Sequence, residues 1–344
     1  MRMLARALTW LALAAGTTQA ASIDNCPGYS ASNIHQGNGK ITADLTLAGD
    51  ACNAYGTDLT DLRLLVEYQT KQRLHVKIYD AEERVYQIPD DVVPLAKSDS
   101  LSDACDMTFS MSETPFSFTV TRTSSGEILF DTSGSQLIFE SQYLRLRTKL
   151  RDNPYLYGIG ESANALRLGT KDYYQTLWNS GEPFLPEDAN LYGTHNVYYD
   201  HRGANGTNAV YFHNSDGMKV IIDDSDTEGQ YLEYNSLGGV VDLYFMDAPS
   251  PKEASKQYGE LIGLPALMPY WGFGESLPAL VYWITGSKWL ICVLARVSSM
   301  QIRNAGRLRS RWREFRFSGS VPSAIWLTEM RLGGRKLQRS QHPS

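Results

Sequence analysis

The feature of this sequence that most constrains its fold is an alternation of apolar and polar residues with period two. Apolar side chains occupy every second position from residue 62 to 68, and the alternation resumes from 74 to 78 after a polar turn at 70–72. It recurs at 116–120 and at 144–147. Further β-prone runs, bounded by Asn, Asp, Ser and Gly, are Ile128–Phe130, Val210–Phe212, Val220–Ile222 and Val240–Phe245. Period two is typical of strands with one buried face, and many short strands separated by turns predict an antiparallel β-sandwich.

The first long helical pattern comes late, after residue 250. Ser250 can cap the helix, Pro251 suits its first turn and Gly263 ends it. The apolar face predicted for this helix consists of Ala254, Tyr258, Leu261 and Ile262. The run 268–274, rich in Gly and aromatic residues, follows the helix, and we expect it to form a short strand that begins a new domain.

The charge of the chain changes sign after Gly274. Residues 1–274 carry a net charge of −15 and residues 275–344 a net charge of +9, which together give the −6 of the whole chain. Residues 275–344 contain no Asp, and four of their ten Arg residues lie in a short run from 307 to 313.

Three interpretations of residues 275–344 compete. Arg clusters attract phosphates and acidic surfaces, which is compatible with a basic binding arm. The window 277–295 is long enough to be a membrane anchor, but Pro278, Gly286 and Lys288 interrupt it, and a Lys near the middle of a bilayer is costly. The segment shows neither hydrophobic periodicity nor residues placed for turns. This favours the interpretation that the segment is an out-of-frame or intron-derived translation joined to a real protein. We adopt the third interpretation.

The N-terminus has the pattern of an export signal. Arg2 and Arg6 accompany an apolar stretch at 8–15 that is too short to span a bilayer, and small residues around Ala20 offer a cleavage site after it. Residues 1–20 are therefore predicted to be a signal peptide, and the mature protein is predicted to be secreted and extracellular.

Cysteines and a sequon are interpreted in that oxidising context. The four cysteines, Cys26, Cys52, Cys105 and Cys292, allow three pairings. Cys26 and Cys52 flank the first segment, and we predict a disulfide between them, while the pairing of the other two stays open. Asn205 begins an Asn-Gly-Thr sequon in a Gly-rich turn, which predicts a glycosylated loop.

Several classes of site are not supported. The charge balance does not indicate a nucleic-acid partner, and the Cys and His spacings fit no zinc pattern, so we predict no metal site and no cofactor. Gly158–Glu161 lacks the third Gly of a dinucleotide loop, and we expect a tight turn there. Asp223–Asp226 lacks the ligand spacing of an EF-hand, and we expect a solvated acidic turn.

An aromatic-rich region with interleaved Asn and Arg extends from 173 to 202. Aromatic faces can stack on sugar rings, but aromatic residues are also enriched in strands, so most of these side chains are expected in the sandwich core. The stretch Trp178–Gly193 is the exception. Its Gly and Pro residues predict a long loop, and long loops on a rigid scaffold are disproportionately functional.

A series of ordered motifs gives the chain a family resemblance. The matching runs are Cys26–Tyr29, Tyr55–Leu59, Pro154–Glu161, Thr176–Asn179, Asn190–His195, Val197–Gly203, Asn214–Met218, Leu232–Gly239, Gly263–Ala266 and Pro269–Gly274. Over about residues 25–274 the chain resembles the N-terminal part of family-31 glycoside hydrolases, with the strongest likeness to the secreted fungal α/β-glucosidases. The tail is unrelated.

This resemblance implies an all-β fold and a domain order. Residues 21–247 would form a galactose mutarotase-like antiparallel β-sandwich. Residues 248–274 would supply the first helix and strand of an incomplete (β/α)8 barrel, and 275–344 an unrelated basic tail. The Phe-His-Gln-Cys-Arg-Tyr-type run of the family is replaced by Glu275-Ser276-Leu277-Pro278, so the break falls inside a signature motif.

The resemblance also implies a retaining glycosidase chemistry whose residues lie elsewhere. An Asp in a later W-x-D-M-N-E-type motif attacks the anomeric carbon and a second Asp protonates the leaving oxygen, but neither motif occurs in these 344 residues. We therefore assign no catalytic residue. The family sandwich offers a Trp-Asn-Arg-Asp loop to the sugar; here Trp178 and Asn179 are retained as candidate substrate-binding residues, while Gly181 replaces the contacting Asp.

Two functional hypotheses follow. In the first, the chain is the front of an extracellular exo-acting α-glucosidase, or α/β-glucosidase, that releases glucose from oligosaccharides, and it is inactive as written. In the second, it is a non-catalytic carbohydrate-binding β-sandwich. Both imply oligosaccharides or glucose-type sugars as partners, with no nucleic acid and no membrane.

Overall fold

The period-two segments fold as strands with the predicted faces inward. In β3 (Asp61–Thr70), Leu62, Leu64 and Val66 are buried, and in β6 (Phe116–Arg122), Phe116, Phe118 and Val120 are buried. The computed structural model describes residues 23–91, 105–180, 189–226, 229–270, 331–332 and 335–336. The all-β prediction is confirmed.

Within residues 1–264, the described strands form three antiparallel sheets. The eight-stranded sheet has the order β1-β2-β3-β4-β16-β13-β12-β10, where the strands are β1 (Tyr29–Gly37), β2 (Lys40–Leu47), β3, β4 (Arg73–Asp80), β10 (Leu156–Gly160), β12 (His195–His201), β13 (Thr207–Phe212) and β16 (Val241–Ala248). The five-stranded sheet has the order β11-β14-β15-β9-β8, with β8 (Ile138–Glu140), β9 (Tyr143–Lys149), β11 (Tyr173–Leu177), β14 (Met218–Asp226) and β15 (Gly229–Ser236). The three-stranded sheet joins β5 (Met107–Glu113), β6 and β7 (Ile128–Asp131).

One hydrophobic core lies between the sheets. Phe130 of the three-stranded sheet meets Phe245 of the eight-stranded sheet edge to face, with ring centroids 5.1 Å apart. Phe212 of the eight-stranded sheet meets Tyr234 of the five-stranded sheet at 4.9 Å. These inter-sheet contacts between alternating positions make the fold a sandwich.

The helix α1 (Pro251–Ile262) begins and ends as predicted, with the Ser250 hydroxyl accepting the Glu253 N–H and Gly263 at the C-cap. Its Ala254 packs against Ala209 and Met246 on the face of the eight-stranded sheet opposite the core. Leu261 is buried with Ala254, but Ile262 is exposed and does not belong to the apolar face. The helix therefore adds a layer outside the large sheet.

Two side chains are buried although the alternation did not indicate their burial. His75 of β4 and Arg145 of β9 point away from the core and are nevertheless buried. The Arg145 guanidinium donates to Asp24 over 2.7 Å, and Asp24 lies in the short 3₁₀ turn Ile23–Asn25.

Two predicted turns are strands instead. Gly158–Gly160 lies in β10, where Gly158 has φ +103° and faces the Val197 carbonyl of β12 so closely that a Cβ would overlap it. Asp223–Asp226 is the end of β14, and the Asp223 carboxylate accepts the Asp172 N–H over 3.0 Å. Neither prediction of a turn was correct, because strand pairing with distant residues overrides the local turn chemistry.

The chain divides into two compact units, residues 1–264 and 265–344. In the second unit, the strands β17 (Arg331–Leu332) and β18 (Arg335–Lys336) pair antiparallel. The run 271–330, which contains most of the predicted barrel strand and the candidate anchor at 277–295, lies outside the described residues. The described helices include none that is both long enough and apolar enough to cross a membrane.

Candidate functional site

The site is built on a short arm, residues 178–180, that continues the edge strand β11. Because Leu177 pairs with Met218 of β14, the next step places the Trp178 ring over Gly217. A Cβ at Gly217 would overlap the ring, so the absence of a side chain lets the indole lie against the backbone. Trp178 remains 54% exposed and offers a wide aromatic surface to solvent.

Asn190 closes the base of this arm. Its side-chain oxygen accepts the Trp178 N–H over 2.8 Å, and its amide nitrogen donates to the Trp178 and Ser180 carbonyls. One side chain thus satisfies three backbone groups of the arm. Residues 181–188, and with them Gly181, lie outside the described residues.

A second contact fixes the side chain at the tip. The Thr194 hydroxyl donates to the Asn179 side-chain oxygen over 2.8 Å. Within the described part of the chain, the Asn179 amide nitrogen and the Trp178 indole N–H have no acceptor. The arm therefore combines an exposed ring with two free hydrogen-bond donors.

The segment 190–194 that holds the arm is itself anchored. Leu191 is buried, whereas the neighbouring Tyr192 is 62% exposed. The Glu161 N–H donates a hydrogen bond to the Gly193 carbonyl, and the Gly193 N–H donates one to the Glu161 carboxylate, each over 2.9 Å. Glu161, which directly follows β10, thus anchors the segment 190–194.

The turn under the Trp178 ring is ordered by Asn214. Its side chain donates to the Gly238 carbonyl over 3.0 Å and accepts the Asp216 N–H over 2.8 Å, while the Gly217 carbonyl accepts the Leu237 N–H. Burial raises the pKa of the Asp216 carboxyl. These bonds hold Gly217 where the indole rests.

The structure brings some predicted site residues together and separates others. Trp178 and Asn179 share the arm, and Tyr174, expected in the core, is exposed on the same edge strand. The Cys26–Cys52 disulfide is formed, with Cα atoms 5.4 Å apart, and it lies in a different part of the sandwich. Asn205 is exposed in the 3₁₀ turn Gly203–Asn205. Asn190 and Thr194 were missed as structural partners, although both lie in a run that carries the family resemblance.

No catalytic pair was assigned from the sequence, and the arm itself contributes a ring and donors rather than carboxylates. In the described ranges no three His, Cys, Asp or Glu side chains are grouped closely enough to hold a metal ion. Cys105 is a half-buried thiol whose pKa is raised by burial, and Cys292 lies beyond the described residues. What the arm offers chemically is stacking and hydrogen bonding to a polyhydroxylated ligand.

Known proteins are similar to this chain over much of its length. Residues 58–220 match the model of the glycosyl hydrolase 31 N-terminal galactose mutarotase-like domain. A protein of Arthroderma benhamiae named "Probable alpha/beta-glucosidase" is 54% identical over 279 residues, which cover 79% of this chain and 32% of the relative. The alpha-glucosidase of Schizosaccharomyces pombe is 39% identical over 270 residues, covering 73% of this chain and 27% of the relative.

Solved structures share the fold at low identity. One is the ER glucosidase II heterodimeric complex, which consists of the catalytic subunit and the binding domain of the regulatory subunit. Its TM-score is 0.59 at 15% identity, and the match covers 72% of this chain and 35% of the glucosidase chain. The Flavobacterium johnsoniae GH31 dextranase in complex with glucose has a TM-score of 0.53 at 16% identity, with 72% and 30% covered. The chain spans about a third of the length of the curated relatives it matches. The chain therefore belongs to glycoside hydrolase family 31 and contains that family's N-terminal galactose mutarotase-like domain.

Proposed function

We propose that this chain is the N-terminal portion of an extracellular exo-acting α-glucosidase, or α/β-glucosidase, that releases glucose from oligosaccharides. The proposal is supported by relatives that are named probable alpha/beta-glucosidases and are 54–56% identical over most of the chain. Within this portion, the Trp178 arm is the part that contacts sugar.

The observation that carries the sugar-binding role is the combination of an exposed indole with free donors. The Trp178 ring can cover the apolar face of a pyranose, and the Asn179 amide can donate to a hydroxyl oxygen. Tyr192 adds a second exposed ring on the adjacent segment.

For the chain as written we propose binding without hydrolysis. Family resemblance assigns the nucleophile and the acid to two Asp residues in later motifs, and residues 275–344 contain no Asp. The test is hydrolysis of a p-nitrophenyl α-glucoside by the purified chain. Release of p-nitrophenol that survives removal of contaminating glucosidases would overturn this part of the proposal.

The parent activity can be tested at the level of the gene. Translation of the other two frames downstream of the Gly274 codon, together with cDNA sequence across the codons for residues 272–280, is expected to reveal a W-x-D-M-N-E-like run. Its absence from every frame and splice form would favour the second candidate, a non-catalytic carbohydrate-binding sandwich. Isothermal titration with maltose then tests that candidate, and no heat at millimolar sugar would remove it.

We also propose that the mature protein is secreted. The Cys26–Cys52 disulfide is typical of oxidising compartments, and the exposed Asn205 suits a glycan. Expression in a eukaryotic secretory host is expected to give an N-terminus at residue 21 and a glycan that the variant Asn205→Gln lacks. An intracellular product with an intact N-terminus would contradict secretion.

A further inference from the structure

We propose that Asn190 and Thr194 are positioning residues that hold the 178–180 arm so that its hydrogen-bond donors face the ligand. The consequence is a preference for acceptor groups, such as the hydroxyl oxygens of a neutral pyranose. This inference rests on the proposed sugar-binding function, and it names two residues and a specificity that the resemblance did not supply.

Asn190 fixes the backbone of the arm. An Asn side chain has one acceptor and one two-proton donor, and here each is used on the arm: the acceptor on the Trp178 N–H, the donor on the Trp178 and Ser180 carbonyls. These contacts span 12 and 10 residues of sequence, so they close the loop at its base. Because β11 ends at Leu177, the arm has no neighbouring strand that could satisfy these backbone groups in place of Asn190.

Thr194 fixes the polarity of the tip. Its hydroxyl hydrogen is donated to the Asn179 oxygen, which orients that amide and leaves its NH₂ group without an acceptor among the described residues. Among the residues that the structure describes, the Trp178 indole N–H is a second donor without an acceptor.

The supporting segment does not depend on the arm for its own order. Leu191 is buried, and Gly193 is tied to Glu161 through two hydrogen bonds. Removing the side-chain amide of Asn190 or the hydroxyl of Thr194 is therefore expected to release the arm while leaving the segment and the sandwich folded.

Amide hydrogen exchange tests the positioning directly and without sugar. In the full chain, Asn190→Ala and Thr194→Val are expected to speed exchange in a peptide covering 177–180 by about fivefold, the change for one net hydrogen bond of about 1 kcal/mol. Asn190→Asp keeps an acceptor for the Trp178 N–H and is expected to protect that amide more than Ala does. Thr194→Ser keeps the hydroxyl and is expected to match the wild type. Unchanged exchange in both Asn190→Ala and Thr194→Val would overturn the inference.

Maltose affinity, measured by isothermal titration on the same variants, tests the specificity. Thr194→Val is expected to bind at least about fivefold more weakly at an unchanged thermal midpoint, and Thr194→Ser to restore affinity. The variant Thr176→Val, which changes an exposed Thr on β11, is the matched control. Equal affinity in Thr194→Val and wild type would overturn the donor preference. If the wild type binds no maltose, the proposed function fails, and the exchange result alone decides whether Asn190 and Thr194 position the arm.

Discussion

His75 and Asp242 form a buried pair on the outer face of the large sheet, with the imidazole Nε2 2.7 Å from the carboxylate oxygen. Their side chains are only 7% and 6% exposed. The His75 ring also stacks on Tyr244 at 4.3 Å between centroids, and its Nδ1 lies 3.3 Å from Glu67. The imidazole therefore lies between two carboxylates supplied by the neighbouring strands β3 and β16.

The pH dependence of stability is expected to have two limbs with opposite signs. The hydrogen bond from His75 lowers the pKa of Glu67 to about 2, so the stability that Glu67 contributes is present above its ordinary pKa, about 4.3, and is lost as pH falls towards 2. For His75, burial opposes protonation but the bonds to Asp242 and Glu67 outweigh it and raise the pKa. Its contribution is full below about pH 6.5 and is lost as pH rises through the raised value.

Urea unfolding between pH 2 and pH 9 measures both limbs. The variant Glu67→Gln should flatten the acid limb and leave most of the alkaline limb, because Asp242 still faces the imidazole. An acid limb of full size in Glu67→Gln would show that other carboxylates carry it.

Removal of Asp242 is expected to destabilise the fold strongly. Asp242→Ala leaves His75 buried with Glu67 as its remaining carboxylate, and breaking a buried pair costs about 3 kcal/mol. Lys77→Ala is the matched control, since its amine lies 3.9 Å from the same carboxylate and is partly exposed, which predicts less than about 1 kcal/mol. The free energy of unfolding is measured by urea unfolding at pH 6. Equal decreases in the two variants would contradict the expectation that the His75–Asp242 pair stabilises the fold more than Lys77 does.

Gly217→Ala is expected to displace the Trp178 ring. The added methyl would overlap the indole, because the three heavy atoms nearest to the new carbon all belong to the Trp178 ring, so the ring must move. We expect sugar affinity to fall about fivefold or more, with a stability change within about 1 kcal/mol, because the displaced group is a half-exposed side chain. Gly37→Ala, where no atom lies within 4 Å of the added carbon, should behave like the wild type. Unchanged maltose affinity in Gly217→Ala would show that the Trp178 indole does not belong to the sugar-binding surface.

The sequence predicted the strands and their core-facing residues, but not which residues are buried on the opposite faces of the sheets. Alternation at 62–68 and 116–120 identifies which side chains meet the core, because that choice is local to each strand. The burial of His75 and Arg145 depends on what covers the opposite faces, and those groups come from residues far away, such as Asp242 and Asp24. Periodicity within one strand contains no information about such a second layer.

The candidate site shows the same division. Trp178 and Asn179 could be named because they match a motif, and the Gly and Pro content around them predicted a loop. The roles of Asn190 and Thr194 arise only when the two sides of the loop come together, and the role of Gly217 only when β14 pairs with β11. The local pattern predicts a turn at Gly158, because the role of this residue, a close approach to β12, likewise depends on residues far away in the sequence.

The Cys26–Cys52 disulfide is expected to stabilise the chain mainly through the unfolded state. The bridge closes a loop of 26 residues, for which the chain-entropy model gives about 3–4 kcal/mol. The folded loop has other support: the Glu140 carboxylate accepts the Ala54 and Tyr55 N–H groups over 2.7 and 2.8 Å, and Asp58 accepts the Asn53 N–H. The double variant Cys26→Ser/Cys52→Ser should therefore keep the native circular dichroism spectrum and unfold at lower urea, as should the reduced wild type. Cys105→Ser, which removes a half-buried lone thiol, should change stability far less. A loss of native structure in the double variant before any denaturant is added would show instead that the bridge holds the folded loop in place.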